Sequence, residues 1–327
     1  MVERNNLGAP ARIITEEEVL RDLIPEMLIT SLEKAFRHMT ETTISAPLRT
    51  QLELPHKGVF VTMPCCDPSL PLFGVKLVSV GSGPQRVRAE YMLYDVRTRR
   101  NVAIIAANHL TDIRTASVSA IATKLLARKE SRVLGVFGTG RLALSHISVF
   151  TSTIPFTRVL CCGSTQLKSE QFAKRLKESY GMDACPCNAL ECLSYSDVIC
   201  CCTTSSQPLF QGSRVRPGTH LNLVGTFQDQ TREVDGETLK RARLCVETYE
   251  GVLSEGGDVL MALSERSISK QHIVADLHEL LSFKKTGRQS SEDITVFKSV
   301  GYAYEDLIAA GLVYERVKAR EQGVVLD

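Results

Sequence analysis

The sequence predicts an α/β chain in two parts, a strand-rich part first and a doubly wound parallel sheet after it. Three observations carry this. Strand-like and helix-like segments alternate beyond about residue 110, as a parallel sheet covered by helices requires. Residues 45–106 are rich in Val, Leu, Phe and Thr and are punctuated by Pro47, Pro55, Pro64, Pro71 and Gly81-Ser82-Gly83-Pro84, which reads as antiparallel strands and turns. The first strand of the alternating part also runs directly into a glycine-rich turn that opens a helix.

Taken in order, Arg12 to Ile14 reads as a short strand, and Thr15 followed by Glu18 is a capping box that starts a helix. After the strand-rich stretch the pattern turns helical from Leu110. Val118, Ile121, Ala122, Leu125 and Leu126 recur at helical spacing and mark one buried face. Val133 to Phe137 is a strand, Leu142 to Phe150 a helix, Arg158 to Cys162 a strand and Lys168 to Tyr180 a helix. Strands follow at Asp197 to Cys202, His220 to Val224 and Arg243 to Glu247, and Tyr302 to Val317 closes the chain as a helix. No repeat, low-complexity segment or flexible tether interrupts this order.

The bulk numbers narrow the function classes. A chain of 327 residues with 43% hydrophobic and 23% charged residues has the balance of a globular protein. A net charge of +2 without charge runs argues against nucleic acid and against an acidic membrane surface. Met1 to Pro10 lacks the apolar core of a secretory signal, and no stretch is apolar enough to span a bilayer. The expected location is the cytoplasm. Eleven cysteines contain no Cys-x-x-Cys pair, and the close pair Cys185 and Cys187 has no matching cluster. Cys161, Cys162 and Cys200 to Cys202 sit in apolar runs, so reduced, buried thiols are expected, without metal or disulfide framework.

The turn Gly138-Thr139-Gly140-Arg141-Leu142-Ala143 is G-x-G-x-x-A between strand and helix. Gly138 permits the tight turn, Gly140 lets backbone approach a pyrophosphate, and Ala143 is small enough for helix to pack on strand. The helix start offers N–H groups and a positive dipole end to phosphates. The second part is therefore a Rossmann dinucleotide-binding domain by expectation. Its second strand ends Cys161-Cys162-Gly163-Ser164-Thr165-Gln166, without the carboxylate that would hold NAD ribose hydroxyls. Ser164, Thr165 and Lys168 are placed to receive a 2′-phosphate, which favours NADP(H) slightly over NAD(H).

Several stretches together resemble the ornithine cyclodeaminase/mu-crystallin family. They are Ala46-Pro-Leu-Arg49, Gly74-Val-Lys76-Leu-Val, Leu110-Thr-Asp-Ile-Arg114-Thr-Ala-Ser-Val-Ser-Ala, the Gly138 turn, Val252-Leu-Ser-Glu-Gly-Gly-Asp258-Val and Thr295-Val-Phe-Lys-Ser299-Val-Gly301-Tyr-Ala-Tyr-Glu305-Asp306. The resemblance covers nearly the whole chain. It implies an α+β substrate-binding and dimerisation domain over 1–112 and 302–327, with the Rossmann domain over 113–301, and a homodimer. It also implies hydride transfer at the C–N bond of an amino or imino acid. Reduction of ketimines or cyclic imino acids, amino-acid or opine dehydrogenation, and deaminating cyclisation of ornithine all occur in the family.

By the resemblance, Arg49, Lys76 and Arg114 are the cations that hold the substrate carboxylate. Arg grips a carboxylate with a planar fork and Lys with a point charge. Lys76 is also the candidate proton donor, provided burial lowers its pKa. Arg49, just after Pro47, equally suits a solvated turn. Lys76 interrupts an apolar strand, and Arg114, read as lying in the first turn of its helix, opposes the helix dipole. Both placements favour function over stabilisation. Thr115, Thr203, Asn222, Val224, Gly225, Ser299 and Gly301 are expected around the cofactor at its nicotinamide end or at strand ends. His109 and His146 read as structural. The family's cyclodeaminases carry an Asp two residues after the Gly of Val224-Gly225-Thr226-Phe227. Here Phe227 stands in that place, with Asp229 displaced by two residues. Phe227 cannot take a proton, so the expectation is an imine reductase or dehydrogenase. A cyclodeaminase-type lyase and a non-catalytic NADPH-binding protein are the alternatives.

Overall fold

A computed structural model describes residues 10–39, 44–55, 58–81 and 87–320, with the backbone of Val324–Val325. The turn expected at Ser82-Gly83-Pro84 and the N-terminal residues before Pro10 lie outside the described residues. In chain order the elements are β1 (Arg12–Ile14), α1 (Glu16–Asp22), α2 (Pro25–His38), β2 (Thr50–Leu54), β3 (Gly58–Cys66), β4 (Leu72–Val80), β5 (Val87–Asp95), β6 (Asn101–Ala106) and α3 (Asn108–Leu126). Then come β7 (Val133–Phe137), α4 (Arg141–Thr153), β8 (Arg158–Cys162), α5 (Gln166–Tyr180), β9 (Ala184–Pro186), α6 (Ala189–Tyr195), β10 (Val198–Cys201), β11 (His220–Leu223), α7 (Gly236–Arg241) and β12 (Ala242–Val246). The chain ends with α8 (Tyr249–Glu255), α9 (Gly257–Ser264), β13 (Ile273–Asp276), α10 (Leu277–Leu281), β14 (Ile294–Lys298), α11 (Ala303–Ala319) and β15 (Val324–Val325). Two compact units divide it: Met1–Ala35, Met39–Arg114 and Tyr302–Asp327 in one, Phe36–His38 and Thr115–Gly301 in the other.

The first unit is a sheet in the order β15-β1-β6-β5-β4-β3-β2 among the described residues. β2 to β6 run antiparallel, as the strand-and-turn pattern predicts, and β1 lies parallel to β6. Strand alternation buries Ala89, Tyr91 and Leu93 on one face of β5, and helix α11 packs on β3, β4 and β5 with Leu307, Ala310, Val313 and Val317 buried. The capping box of α1 forms as expected. The Thr15 hydroxyl accepts from the Glu18 N–H at 3.3 Å, and the Glu18 carboxylate accepts from the Thr15 N–H at 2.9 Å.

Helix α3 begins at Asn108, earlier than the apolar spacing places it. Its N-terminal end is held by the Glu16 carboxylate, which accepts from the His109 N–H at 2.6 Å. That partner is remote in sequence, so local pattern does not reveal it. In consequence Arg114 lies beyond the first turn, contrary to its expected place, and its charge does not oppose the helix dipole there.

The second unit carries a parallel sheet in the order β13-β12-β14-β11-β10-β7-β8-β9 among the described residues. Its strand order reverses between β7 and β10, the switch point where doubly wound sheets bind ligands at the carboxyl ends of the strands. β14 sits between β11 and β12. The helix–strand alternation did not mark it, because a long stretch without helix separates α10 from β14. His146 is fully buried in α4, with Nδ1 on the Leu142 carbonyl at 2.8 Å and Nε2 against the Ser119 hydroxyl at 3.0 Å. Burial lowers its pKa to about 4, so it is a neutral packing residue at neutral pH. All eleven cysteines are unbridged, and nine of them are buried. Among the described residues no helix is long and apolar enough to cross a membrane.

Candidate active site

In the second unit β7 delivers the chain into the glycine turn. Gly138 has φ 112, a conformation that side chains rarely adopt, and a Cβ there would stand 2.7 Å from the Cys202 carbonyl oxygen. Gly140 is the N-cap of α4 and supplies no side-chain cap, and a Cβ on it would meet nothing within 4 Å. The two glycines thus do different work. Gly138 is required by the fold, whereas Gly140 keeps open the space in front of a helix N-terminus. That open, positively polarised end fits a dinucleotide pyrophosphate. Ala143 is buried against the sheet, while Thr139 and Leu142 are half-buried and Arg141 is exposed.

At the end of β8, Ser164 and Lys168 are exposed and joined, the ammonium donating to the hydroxyl at 3.2 Å. The Thr165 hydroxyl caps α5 by accepting from the Lys168 N–H. No carboxylate stands between Gly163 and Lys168.

The ends of β10 and β11 are fastened by residues that sequence reading did not single out. Glu233, fully buried, accepts from the Thr203 N–H at 2.7 Å, the Thr203 hydroxyl at 2.8 Å and the Gly225 N–H at 2.9 Å. Burial and the nearby Asp258 raise its pKa to about 7. Asp258 accepts from the backbone of Glu233 and Val234 and from the Thr226 hydroxyl, and it pairs with the buried Lys298 at 2.9 Å. Burial works to raise the Asp258 carboxyl, but Lys298 and the backbone donors outweigh it and hold it below the usual value. Ser299 donates to Glu247 at 2.6 Å. Gly301 has φ 87. Val224 is buried. Asn222 is fully buried inside the sheet, its amide donating to Thr123 of α3 at 2.9 Å. Thr115 is half-buried on α3, and Phe227 is 41% exposed.

In the first unit Lys76 and Arg114 meet at one residue that sequence reading gave no role. The Lys76 ammonium lies 2.7 Å from Asp306 Oδ2, and Arg114 Nε donates to Asp306 Oδ1 at 2.8 Å. A second Arg114 nitrogen donates to Glu305 at 2.6 Å. All four charged groups are buried. Glu305 and Asp306 occupy the first turn of α11, where the helix dipole favours carboxylates. The turn is tied down by Tyr304, which donates to Asp67 at 2.8 Å.

Burial lowers the Lys76 pKa to about 8, with the Arg114 and Arg49 charges acting in the same direction and Asp306 opposing them. Arg49 itself is half-buried. Tyr91 pairs with Lys76 across the β4–β5 ladder, and its ring crosses the place where a Cβ on Gly74 would stand. Its buried hydroxyl has no hydrogen-bond partner among the described residues. A buried donor of this kind, across the ladder from Lys76 and within reach of the Asp306 charge, can serve one more polar group. In the sequence, Glu305 and Asp306 stand only as the end of a family-like stretch and as an acidic pair opening the last helix, with nothing to tie them to Lys76 or Arg114.

The family model for the ornithine cyclodeaminase/mu-crystallin family matches residues 11–321. The ketimine reductase mu-crystallin of Mus musculus is 34% identical over 94% of this chain and 97% of its own. The structure of Thermococcus litoralis Δ1-pyrroline-2-carboxylate reductase with NADH and L-proline aligns with a TM-score of 0.92 and 31% identity, over 96% of this chain and all of that one. An archaeal alanine dehydrogenase dimer with bound NAD aligns with a TM-score of 0.90 and 28% identity, over 97% of this chain and 99% of that one.

Proposed function

The chain belongs to the ornithine cyclodeaminase/mu-crystallin family, and from that premise we propose that it is an NAD(P)H-dependent reductase of α-imino acids, cyclic ketimines foremost. The observation that carries this reading is the buried pair Lys76 and Arg114 held at Asp306, beside the orphaned Tyr91 hydroxyl. A carboxylate-bearing imine is the ligand that two fixed cations and a hydroxyl donor suit. Two of the relatives named above are a Δ1-pyrroline-2-carboxylate reductase and a ketimine reductase, which agrees with it.

The cofactor, when bound, supplies the hydride. Gly138 to Ala143 and the start of α4 would hold its pyrophosphate, and Thr203, Val224, Gly225, Ser299 and Gly301 would border it at the strand ends and in the loop after β14. The protein's own work is orientation and proton supply. Lys76 and Arg114, with Arg49, bind the substrate carboxylate and so fix the α-carbon. Lys76, its pKa brought to about 8, holds the proton that the imine nitrogen takes up on reduction. Phe227, uncharged and exposed, offers apolar surface to the substrate and no base for releasing ammonia from a diamino acid.

The Ser164–Lys168 pair, with no carboxylate beside it, supports NADP(H) as the better cofactor. A homodimer through the first unit is supported by edge strand β2, all of which is exposed, Leu52 to 62%, since an open apolar edge is commonly covered by a partner. Unbridged thiols suit a cytoplasmic setting.

The test is oxidation of NADPH and of NADH by the purified protein with Δ1-pyrroline-2-carboxylate and Δ1-piperideine-2-carboxylate, beside ammonia release from L-ornithine. Rapid cofactor oxidation without ammonia release is the expected result. Ammonia release without imine reduction would overturn the proposal.

A further inference from the structure

We propose that Asp306 is a positioning residue of the imine-reducing site: it bridges Lys76 and Arg114 through its two carboxylate oxygens, sets their spacing for the substrate carboxylate, and couples the proton on Lys76 to its own charge. The proposal rests on the reading of Lys76 as proton donor and carboxylate anchor. Asp306 itself touches neither substrate nor cofactor in this scheme.

The geometry carries it. Asp306 is fully buried, with Lys76 on Oδ2 at 2.7 Å and Arg114 on Oδ1 at 2.8 Å. One oxygen per cation leaves little freedom to either side chain. Lys76 projects from β4, Arg114 from α3 and Asp306 from α11, so three elements meet at this carboxylate. Two long, rotamer-rich cationic side chains are thereby ordered before substrate arrives. Glu305 takes a second nitrogen of Arg114 at 2.6 Å, which sets the guanidinium plane.

The charged and titratable groups around Lys76 are Arg114 on α3, Asp306 and Glu305 on α11, Arg49 ahead of β2, Tyr91 on β5 and Cys65 on β3. Burial, Arg114 and Arg49 push the Lys76 proton off, and Asp306 holds it on. With Asp306 neutralised the balance tips toward the free amine. The alkaline limb of the imine-reduction profile should then move to lower pH by about one unit or more, the usual effect of an opposite charge at this range.

The experiment compares the whole wild-type enzyme with Asp306→Asn and Asp306→Glu. Three quantities are measured: the pH profile of kcat/KM with Δ1-piperideine-2-carboxylate, NADPH affinity as a control for folding, and the Lys76 titration by NMR of [ε-13C]lysine-labelled protein. The Lys76 resonance is assigned by its loss in Lys76→Arg. In D306N the expected result is unchanged NADPH affinity, a Lys76 midpoint and alkaline limb both shifted down, and kcat/KM at pH 8 reduced about fivefold or more. In D306E the charge is kept and displaced, so the limb should stay while KM rises several-fold. That contrast decides the matter if D306N does not fold, and unchanged KM in D306E would then overturn the proposal. A D306N protein that binds NADPH with an unmoved Lys76 midpoint would also overturn it. If wild type reduces no imino acid, the functional reading fails, and the coupling is judged separately on the shift of the Lys76 resonance in D306N.

Discussion

The carboxylate of Glu233 holds the backbone N–H of Thr203 at 2.7 Å. Because the same side chain accepts from the Thr203 hydroxyl and from Gly225, it joins the ends of β10 and β11 at a single buried point. Replacing it with Ala leaves three donors without an acceptor. An unsatisfied buried donor costs roughly 1–3 kcal/mol, so Glu233→Ala should destabilise the protein by about 3 kcal/mol or more. NADPH affinity should fall with it, because the strand ends proposed to border the cofactor are loosened. Chemical denaturation and cofactor titration measure the two effects.

The two glycines of the β7–α4 turn should fail differently. Gly138→Ala forces a side chain into positive φ and against the Cys202 carbonyl, at a cost of about 1–3 kcal/mol in stability. Gly140→Val meets open space and should change stability little, yet it fills the position proposed for the pyrophosphate. Its expected signature is a near-normal Tm with at least a tenfold weaker NADPH affinity.

With Lys76 as the proposed proton donor, its protonation sets the pH dependence of the wild-type enzyme. The working form is the ammonium, and its pKa is lowered to about 8. Activity should therefore hold below that value and decline as pH rises through it. A profile of kcat/KM between pH 6 and pH 10 measures this, and Lys76→Met should abolish turnover at every pH while cofactor binding persists.

On the proposed 2′-phosphate assignment, Lys168 is the residue that should separate the two cofactors. Lys168→Ala removes the exposed ammonium beside Ser164 and should raise KM for NADPH about tenfold, the value of roughly 1.4 kcal/mol, while KM for NADH stays the same. Equal effects on both cofactors would contradict the 2′-phosphate assignment.

Much of this molecule is legible in its sequence because the signals are local. The Thr15–Glu18 box, the antiparallel run before residue 106 and the Gly138 turn each depend on neighbours within a few residues. Lys76 stands out as a charge in an apolar strand. What escapes is whatever depends on a remote partner. The earlier start of α3 comes from Glu16, and β14 enters the middle of its sheet after a long stretch without a helix. The carboxylates of Asp306, Glu233 and Asp258 look like ordinary surface acids until folding buries them. Only three-dimensional neighbours reveal that Asp306 serves Lys76 and Arg114.

The thiols have a practical consequence. Burial pushes those of Cys65, Cys161, Cys200 and Cys245 well up from their ordinary value, so little thiolate is present to meet an electrophile. Cys66 and Cys185 are the two that are partly open to solvent, and Cys66 adjoins the Cys65 strand position near Asp306. With Cys66 replaced by Ser, Cys185, on short β9 at the margin of the parallel sheet, is thus a natural anchor for a fluorophore or spin label, leaving a sulfur-rich protein addressable at one chosen point.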